Sequence, residues 1–286
     1  MPSPSATARS CSMGRTIVAM QLNQITVFPV KSMGGTDVDA ATVEPWGLEH
    51  DRRWLVLHPD GTYLTARREA RMLTVTAVAT GGRLVLSAPG FSTLAVDIPV
   101  DGALTATTVS RLHSVRLAAD EAHSWLSGAL GRAVRLGWLD DPCRRPVSPD
   151  HGGRDGDPLN LSDAGPVLVA TTASMRQLNE WIAAGDAAEP AVTVDRFRPN
   201  LVIETGEPFA EDTWRHVRIG AAVFRFAEVC DRCQMTLTDP ATLVRGKEPI
   251  RTMARHRKWN GRTWFGVRLI PTTVGPIRVG DVVSVF

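Results

Sequence analysis

The chain is short of the residues that would staple or anchor it. Its 286 residues hold four cysteines, Cys11, Cys143, Cys230 and Cys233, too few for a disulfide scaffold, so reduced thiols are expected. No stretch approaches the roughly eighteen apolar residues of a membrane-spanning helix. None of the seven histidines stands in HxxxH spacing, which disfavours histidine-based zinc chemistry, although an isolated catalytic histidine is compatible with the chain. Charge of neither sign dominates. The 32 basic against 30 acidic residues give a net +2, which predicts no field for nucleic acid but leaves local basic clusters able to bind a small anion.

What is present is ordinary for a globular protein. Hydrophobic residues make up 43% and charged residues 22%, a balance that excludes disorder and leaves enough apolar surface for one large or two ordinary domains. The first twenty residues lack the apolar centre of a secretory signal. They carry Arg9 and Arg15 and no acid, which is compatible with a transit peptide. The simpler reading is a polar tail or an upstream start codon, with ordered structure from about Gln21 and a cytoplasmic location.

Short strands separated by Gly/Pro turns dominate. Ile25–Val30 is β-rich, and Arg53–His58 turns at Pro59-Asp60-Gly61 and returns through Thr62–Thr65 as a hairpin. Leu73–Ala79 and Arg83–Ser87 flank the turn Gly81-Gly82, and Thr93–Ile98 is a further strand. A helix is expected from an Asp120 N-cap to a Gly131 C-cap, with Ala122, Trp125, Leu126, Ala129 and Leu130 on one face. Ala133–Leu139 then reads as a strand. Residues 140–160 are polar and rich in Pro and Gly, which suggests a domain boundary or a lid. Beyond them, Val167–Thr171 reads as a strand. Ser174 with Gln177 predicts the capping box of a second helix ending near Gly185. Strands follow at Asn200–Glu204, Ala222–Val229, Phe265–Ile270 and Ile277–Phe286. The pattern predicts a mostly β chain with some α, built as barrels or sandwiches.

Three groups of residues can carry chemistry. The first is Cys230-Asp231-Arg232-Cys233, at the end of a strand. A structural zinc site would need two further ligands, such as Cys143 and a histidine. A thioredoxin-type pair would need a helix start that this context lacks. Two buried cysteines acting as small hydrophobes are a plain alternative. The remaining use is one thiolate on a soft transition metal, with Arg232 favouring the deprotonated sulfur. The second group is cationic: Lys31-Ser32 before Gly34-Gly35, then Arg52, Arg67, Arg68, Arg196 and Arg198, all beside turns. Single basic residues are usually solvated, but several forked guanidiniums at strand ends suit a phosphate. The third is Glu211-Asp212, readable as an acid–base pair or as a solvated acidic turn.

Taken in order, VFPVKSMGG (27–35), GLEHDRRWLVL (47–57), LTARREARML (64–73), LSDAGPVLVATTAS (161–174), RFRPNLVIETGEPFAEDTWRHVRIG (196–220), VCDRCQMTLTDP (229–240), EPIRTM (248–253) and IRVGDVV (277–283) resemble the MOSC-domain family with an N-terminal MOSC β-barrel domain, the group that includes the mitochondrial amidoxime-reducing component. The resemblance implies an N-terminal β-barrel-like domain at 21–140, a linker or lid at 141–160 and a MOSC β-barrel domain at 161–286. It implies Cys233 as the protein ligand to molybdenum. It implies that the molybdenum cofactor is held by Lys31, Ser32, Arg52, Thr171, Ser174, Arg198, Asn200 and Arg232. Asp231 departs from the Ser often found between the cysteines of the family. An extra carboxylate there bears on potential or substrate preference.

By the same resemblance the chain is a molybdenum-dependent oxidoreductase, independent of pyridoxal phosphate, that reduces N-hydroxylated compounds. The four cysteines fit no iron–sulfur pattern, so an electron-transfer protein of the ferredoxin or flavin reductase class is the implied partner. Neither nucleic acid nor membrane is an expected partner. The alternative is a molybdenum-cofactor or sulfur carrier without turnover of its own, since MOSC domains also end molybdenum-cofactor sulfurases.

Overall fold

The computed structural model describes residues 20–185 and 189–286. The expectation for residues 1–20 therefore falls almost wholly outside the described residues.

Strands dominate, with three α-helices among the described residues: Asp120–Leu130, Thr172–Ala183 and Ile250–His256. The largest sheet has nine strands. Its path runs Val283–Val285, His216–Ile219, Ala222–Asp231, Arg262–Thr273, Val167–Thr171, Leu201–Glu204, Gln21–Val27 and Thr36–Val38, with Lys258–Trp259 paired beside Arg262–Thr273. Strands from both ends of the chain are thus hydrogen-bonded in one sheet. Ile25 faces Leu201, which in turn faces Val169 in the sheet's parallel pair. Helix Thr172–Ala183 makes the crossover that a parallel pair requires. Leu22, Ile25, Val169, Leu201, Ile203 and Leu269 are buried together because alternate residues of these strands face one core.

A second core is formed nearer the N-terminus. One sheet orders Trp54–Leu57, Arg135–Trp138, Ser114–Leu117 and Leu104–Ala106, and another orders Thr76–Thr80, Arg83–Ser87 and Leu94–Asp97. Helix Asp120–Leu130 contributes Leu126 and Leu130, which pack with Val56, Met72, Leu84 and Leu136.

Several expectations shift at element ends. Asp120 is the first helical residue and not the cap; Ala119 takes the cap position with no side-chain bond. The second helix is capped three residues earlier than Ser174: Thr171 accepts from the Ser174 N–H, so Ser174 fills the place assigned to Gln177. The strand expected from Leu73 starts at Thr76, because Glu69 caps a 3-10 turn over Ala70–Thr74. Ile277–Phe286 divides into Gly275–Arg278 and Val283–Val285, with Gly280 at φ 93° between them, a conformation glycine tolerates. Helix Ile250–His256 was not foreseen.

The polar segment 140–160 is tied down by one side chain. Arg145 is 2% exposed and donates to the carbonyls of Ser110, Asn160 and Ser162, while Val147 and Leu159 pack on Ile270. This anchors the segment where the 161–165 turn enters the site.

Candidate functional site

A cleft of about 790 Å³, including its open mouth, is lined by seven cationic and two acidic side chains. The cations are Lys31, Arg52, Arg67, Arg196, Arg198, Arg232 and Arg268; the acids are Asp163 and Asp231. Ser32, Asn200, Cys230 and Cys233 also line it. These residues come from seven separate stretches of chain. Of the sequence-predicted set, the structure brings together Lys31, Ser32, Arg52, Arg198, Asn200, Arg232 and Cys233.

Three of these residues occupy strained backbone. Ser32, Arg52 and Arg198 have φ of 70°, 47° and 55°. For residues with a Cβ this region costs about 1–2 kcal/mol each. Such strain persists where surrounding contacts over-determine it, and it clusters at functional sites. At Arg52 the contacts are explicit. Its N–H donates to Phe28 O at 2.7 Å, and its guanidinium donates to Asp51 and, at 2.9 Å, to Asn200 Oδ1. Asp51 is fully buried and also accepts from Phe28 N and Asn160 Nδ2.

Asn200 is 1% exposed, and its amide is largely used by the protein. Its Oδ1 accepts from Arg52 and from Leu168 N, and its Nδ2 donates to Thr26 O. It positions Arg52. Arg198 differs: among the described residues its guanidinium makes no hydrogen bond or ion pair. It lies 4.3 Å from the centre of the Phe28 ring, and Arg52 lies 4.7 Å from that same ring. Burial and the repulsion of Arg52 push Arg198 down to about 9, so it stays charged at neutral pH.

Lys31 Nζ donates to Asp163 at 2.5 Å and to Leu161 O at 2.8 Å. Arg67 donates to the other oxygen of Asp163 at 2.6 Å. Lys31 and Arg67 hold the Asp163 carboxyl far below the ordinary carboxylate range. Burial lowers Lys31, an effect that Asp163 opposes. Asp163 also raises Arg67, which lines the same cleft as Cys233.

The two cysteines have different surroundings. Cys230 is 4% exposed and accepts from Arg232 Nη1 at 2.8 Å. Cys233 is exposed. Arg232 thus serves the inner sulfur, and its Nη2 is held by Phe197 O at 2.6 Å. Asp231 is paired with Arg268 at 2.7 Å and with Arg262 at 3.3 Å. Burial would lower Arg268, but Cys230, Glu228 and Asp231 outweigh it and raise the guanidinium above its ordinary range. Among the described residues no group of three His, Cys, Asp or Glu side chains is placed to hold a metal ion, which leaves the zinc reading of the cysteine pair without its further ligands.

Two predicted positions fall elsewhere. Thr171 and Ser174 are fully buried and do not line the cleft. Their hydroxyls bond each other at 2.8 Å, Thr171 donates to Glu211 at 3.1 Å, and Ser174 accepts from Phe209 N at 2.7 Å. They cap a helix and stand apart from the other expected cofactor-binding residues. Glu211 is also fully buried, and burial raises its carboxyl above the usual range. Asp212 pairs with Arg257 at 2.5 Å. That pair is structural and lies off the cleft. Asp163 and Arg268 were missed by sequence reasoning: each sits in a run that reads as loop or strand, and only the fold shows their partners.

The cleft also contains donors without acceptors. Nε of Arg196 and Nε of Arg232 are buried with no hydrogen-bond partner among the described residues. A cation-rich cleft with orphaned guanidinium nitrogens and one exposed thiol has the donor set of a site for an anionic group with a soft-metal end.

The comparisons agree with this class. The chain matches the MOSC N-terminal beta barrel domain over residues 19–133 and the MOSC domain over residues 156–284, and it belongs to that family. It is 31% identical to the human mitochondrial amidoxime-reducing component 1, over 90% of this chain and 80% of that protein. It is 29% identical to the Xenopus laevis protein of that name, over 91% of this chain and 80% of the relative. It is 32% identical to the Danio rerio molybdenum cofactor sulfurase over 87% of this chain, but spans only 31% of that relative's length.

Proposed function

We propose that this protein binds the molybdenum cofactor in the Lys31–Cys233 cleft and uses it to reduce N-hydroxylated compounds. The observation that carries this reading is the meeting of an exposed Cys233 with Arg198, whose charge has no partner among the described residues, in one cleft lined by seven cations. Arg198, Arg67 and Lys31 supply the cationic grip for the phosphate tail. The forked guanidiniums give it direction, and Ser32 adds a hydroxyl. Asn200 acts through Arg52. Arg232 steadies Cys230 and the chain on either side of Cys233. Cys233 is the thiolate ligand, and the bound cofactor supplies the two-electron chemistry.

The reaction breaks an N–OH bond, consumes two electrons and two protons, and releases water and the reduced nitrogen compound. The electrons come from a separate carrier protein of the ferredoxin or flavin reductase class. The boundaries 21–140, 141–160 and 161–286, and a cytoplasmic location, belong to the same proposal. No described helix is long and apolar enough to cross a membrane.

The test is turnover. Protein from a host that makes molybdopterin should convert benzamidoxime to benzamidine with reduced viologen as donor, and Cys233→Ser should not. The match to the sulfurase keeps a second reading, in which Cys233 carries transferable sulfur. A persulfide on Cys233 with no molybdenum and no turnover would favour that carrier.

A further inference from the structure

Charge is distributed unevenly along this near-neutral chain. Residues 249–280 contain no Asp or Glu and seven Lys or Arg. Part of this stretch folds beside the cleft mouth as a hairpin: Lys258 faces Thr263 and Trp259 faces Arg262. Its inner edge is attached to the cysteine segment, because Arg232 N donates to Thr263 O at 2.8 Å and Arg262 reaches Asp231. On the other side of Cys233, the exposed Arg245 donates to Gln234 at 2.6 Å. The residues flanking Cys233 are therefore tied to exposed cations, Gln234 to Arg245 and Asp231 to Arg262, with exposed Lys258 in the same hairpin as Arg262.

The edges also carry apolar surface that the described residues leave uncovered. Trp259 is 39% exposed and stacks on Trp264 at 5.4 Å, and Val244, next to Arg245, is 65% exposed. Exposed tryptophan with arginine around it is the composition of a protein–protein hot spot, whereas isolated surface cations are not. Basic charge around one opening also steers an acidic partner so that it meets the protein at that opening.

We infer that the 244–247 edge and the 258–262 hairpin form a docking surface for an acidic electron-carrier protein, which they hold against the mouth at Cys233. The inference rests on the redox reading of the cleft given above. The carrier delivers the two electrons, singly if it is an iron–sulfur protein, and the two protons come from solvent. Association is electrostatic, so it weakens as salt rises.

The probe is an acidic plant-type [2Fe–2S] ferredoxin, titrated against the full-length holoprotein at low and high salt. Wild type should bind it at low salt and release it at high salt. Arg245→Glu combined with Lys258→Glu should weaken binding at least tenfold and flatten the salt dependence. Ferredoxin-driven turnover of the double variant should fall by a similar factor, while viologen-driven turnover stays unchanged. Equal binding by wild type and variant, or equal loss of both activities, would overturn the docking surface. So would preferential binding of duplex DNA or of phosphatidylserine–phosphatidylcholine vesicles. Absence of viologen-driven turnover in wild type would instead contradict the redox reading, and the binding titration still judges the surface.

Discussion

Lys31 Nζ and Asp163 Oδ1 lie 2.5 Å apart although 132 positions separate them in the chain. The same carboxylate holds Arg67, so one acidic residue fixes two cations of the cleft. Asp163→Asn should release both and lower cofactor content. The side chain of Asp163 is 55% exposed, so screening limits the stability loss to about 1 kcal/mol. Its carboxyl is depressed in the folded state, so its contribution is complete above the unfolded carboxylate value of about 4 and is lost as pH falls through the folded value. The melting-temperature gap between wild type and variant should therefore be constant near neutrality and close in acid. A gap that widens in acid contradicts the pairing.

Thr171→Val tests the reassignment of the turn before helix Thr172–Ala183. The hydroxyl caps the helix and serves Glu211. Its loss should cost about 1 kcal/mol in chemical denaturation with molybdenum content unchanged. Molybdenum loss at unchanged stability would return Thr171 to the cofactor site.

Glu211→Gln addresses the buried carboxyl. Burial raises the folded value above that of the unfolded chain, so stability from the protonated form is present at low pH and declines as pH rises through the folded value. The variant lacks that titration. Relative to wild type it should gain stability as pH rises from acid through the folded value. Parallel melting curves across that range would show that Glu211 is ordinary.

Arg198→Ala removes a guanidinium that lies over the Phe28 ring and makes no hydrogen bond or ion pair among the described residues. The folding cost should stay within about 1 kcal/mol. Pterin and molybdenum content should fall about tenfold or more, the scale of a lost charge-assisted contact. Arg198→Lys should recover only part of it, because an ammonium lacks the fork. Full occupancy in Arg198→Ala would remove this residue from the binding map.

How much was legible in the sequence depended on how local each signal was. The hairpin at Gly81-Gly82 and the Gly131 cap were readable because turn chemistry is carried by adjacent residues. The cleft cations Lys31, Arg52 and Arg198 stood beside turns, and a family resemblance gave them a common purpose. The burial of Thr171 and Ser174 away from the cleft was not legible, because a hydroxyl near a strand end serves a helix cap or a ligand equally well. Asp163 and Arg268 could not be found at all, since their roles consist of partners far away in the chain. The exposure difference between Cys230 and Cys233 likewise follows from the end of the strand Ala222–Asp231, which turns one sulfur inward and leaves the next one out.

The central claim is that the exposed sulfur of Cys233 holds a metal. Molybdenum per chain, measured on protein purified from a molybdopterin-making host, tests it most directly. Wild type should carry close to one molybdenum, and Cys233→Ser close to none with an unchanged melting temperature in the cofactor-free form. Cys230→Ser should keep most of its metal. Full molybdenum in Cys233→Ser, or none in wild type, would contradict the account.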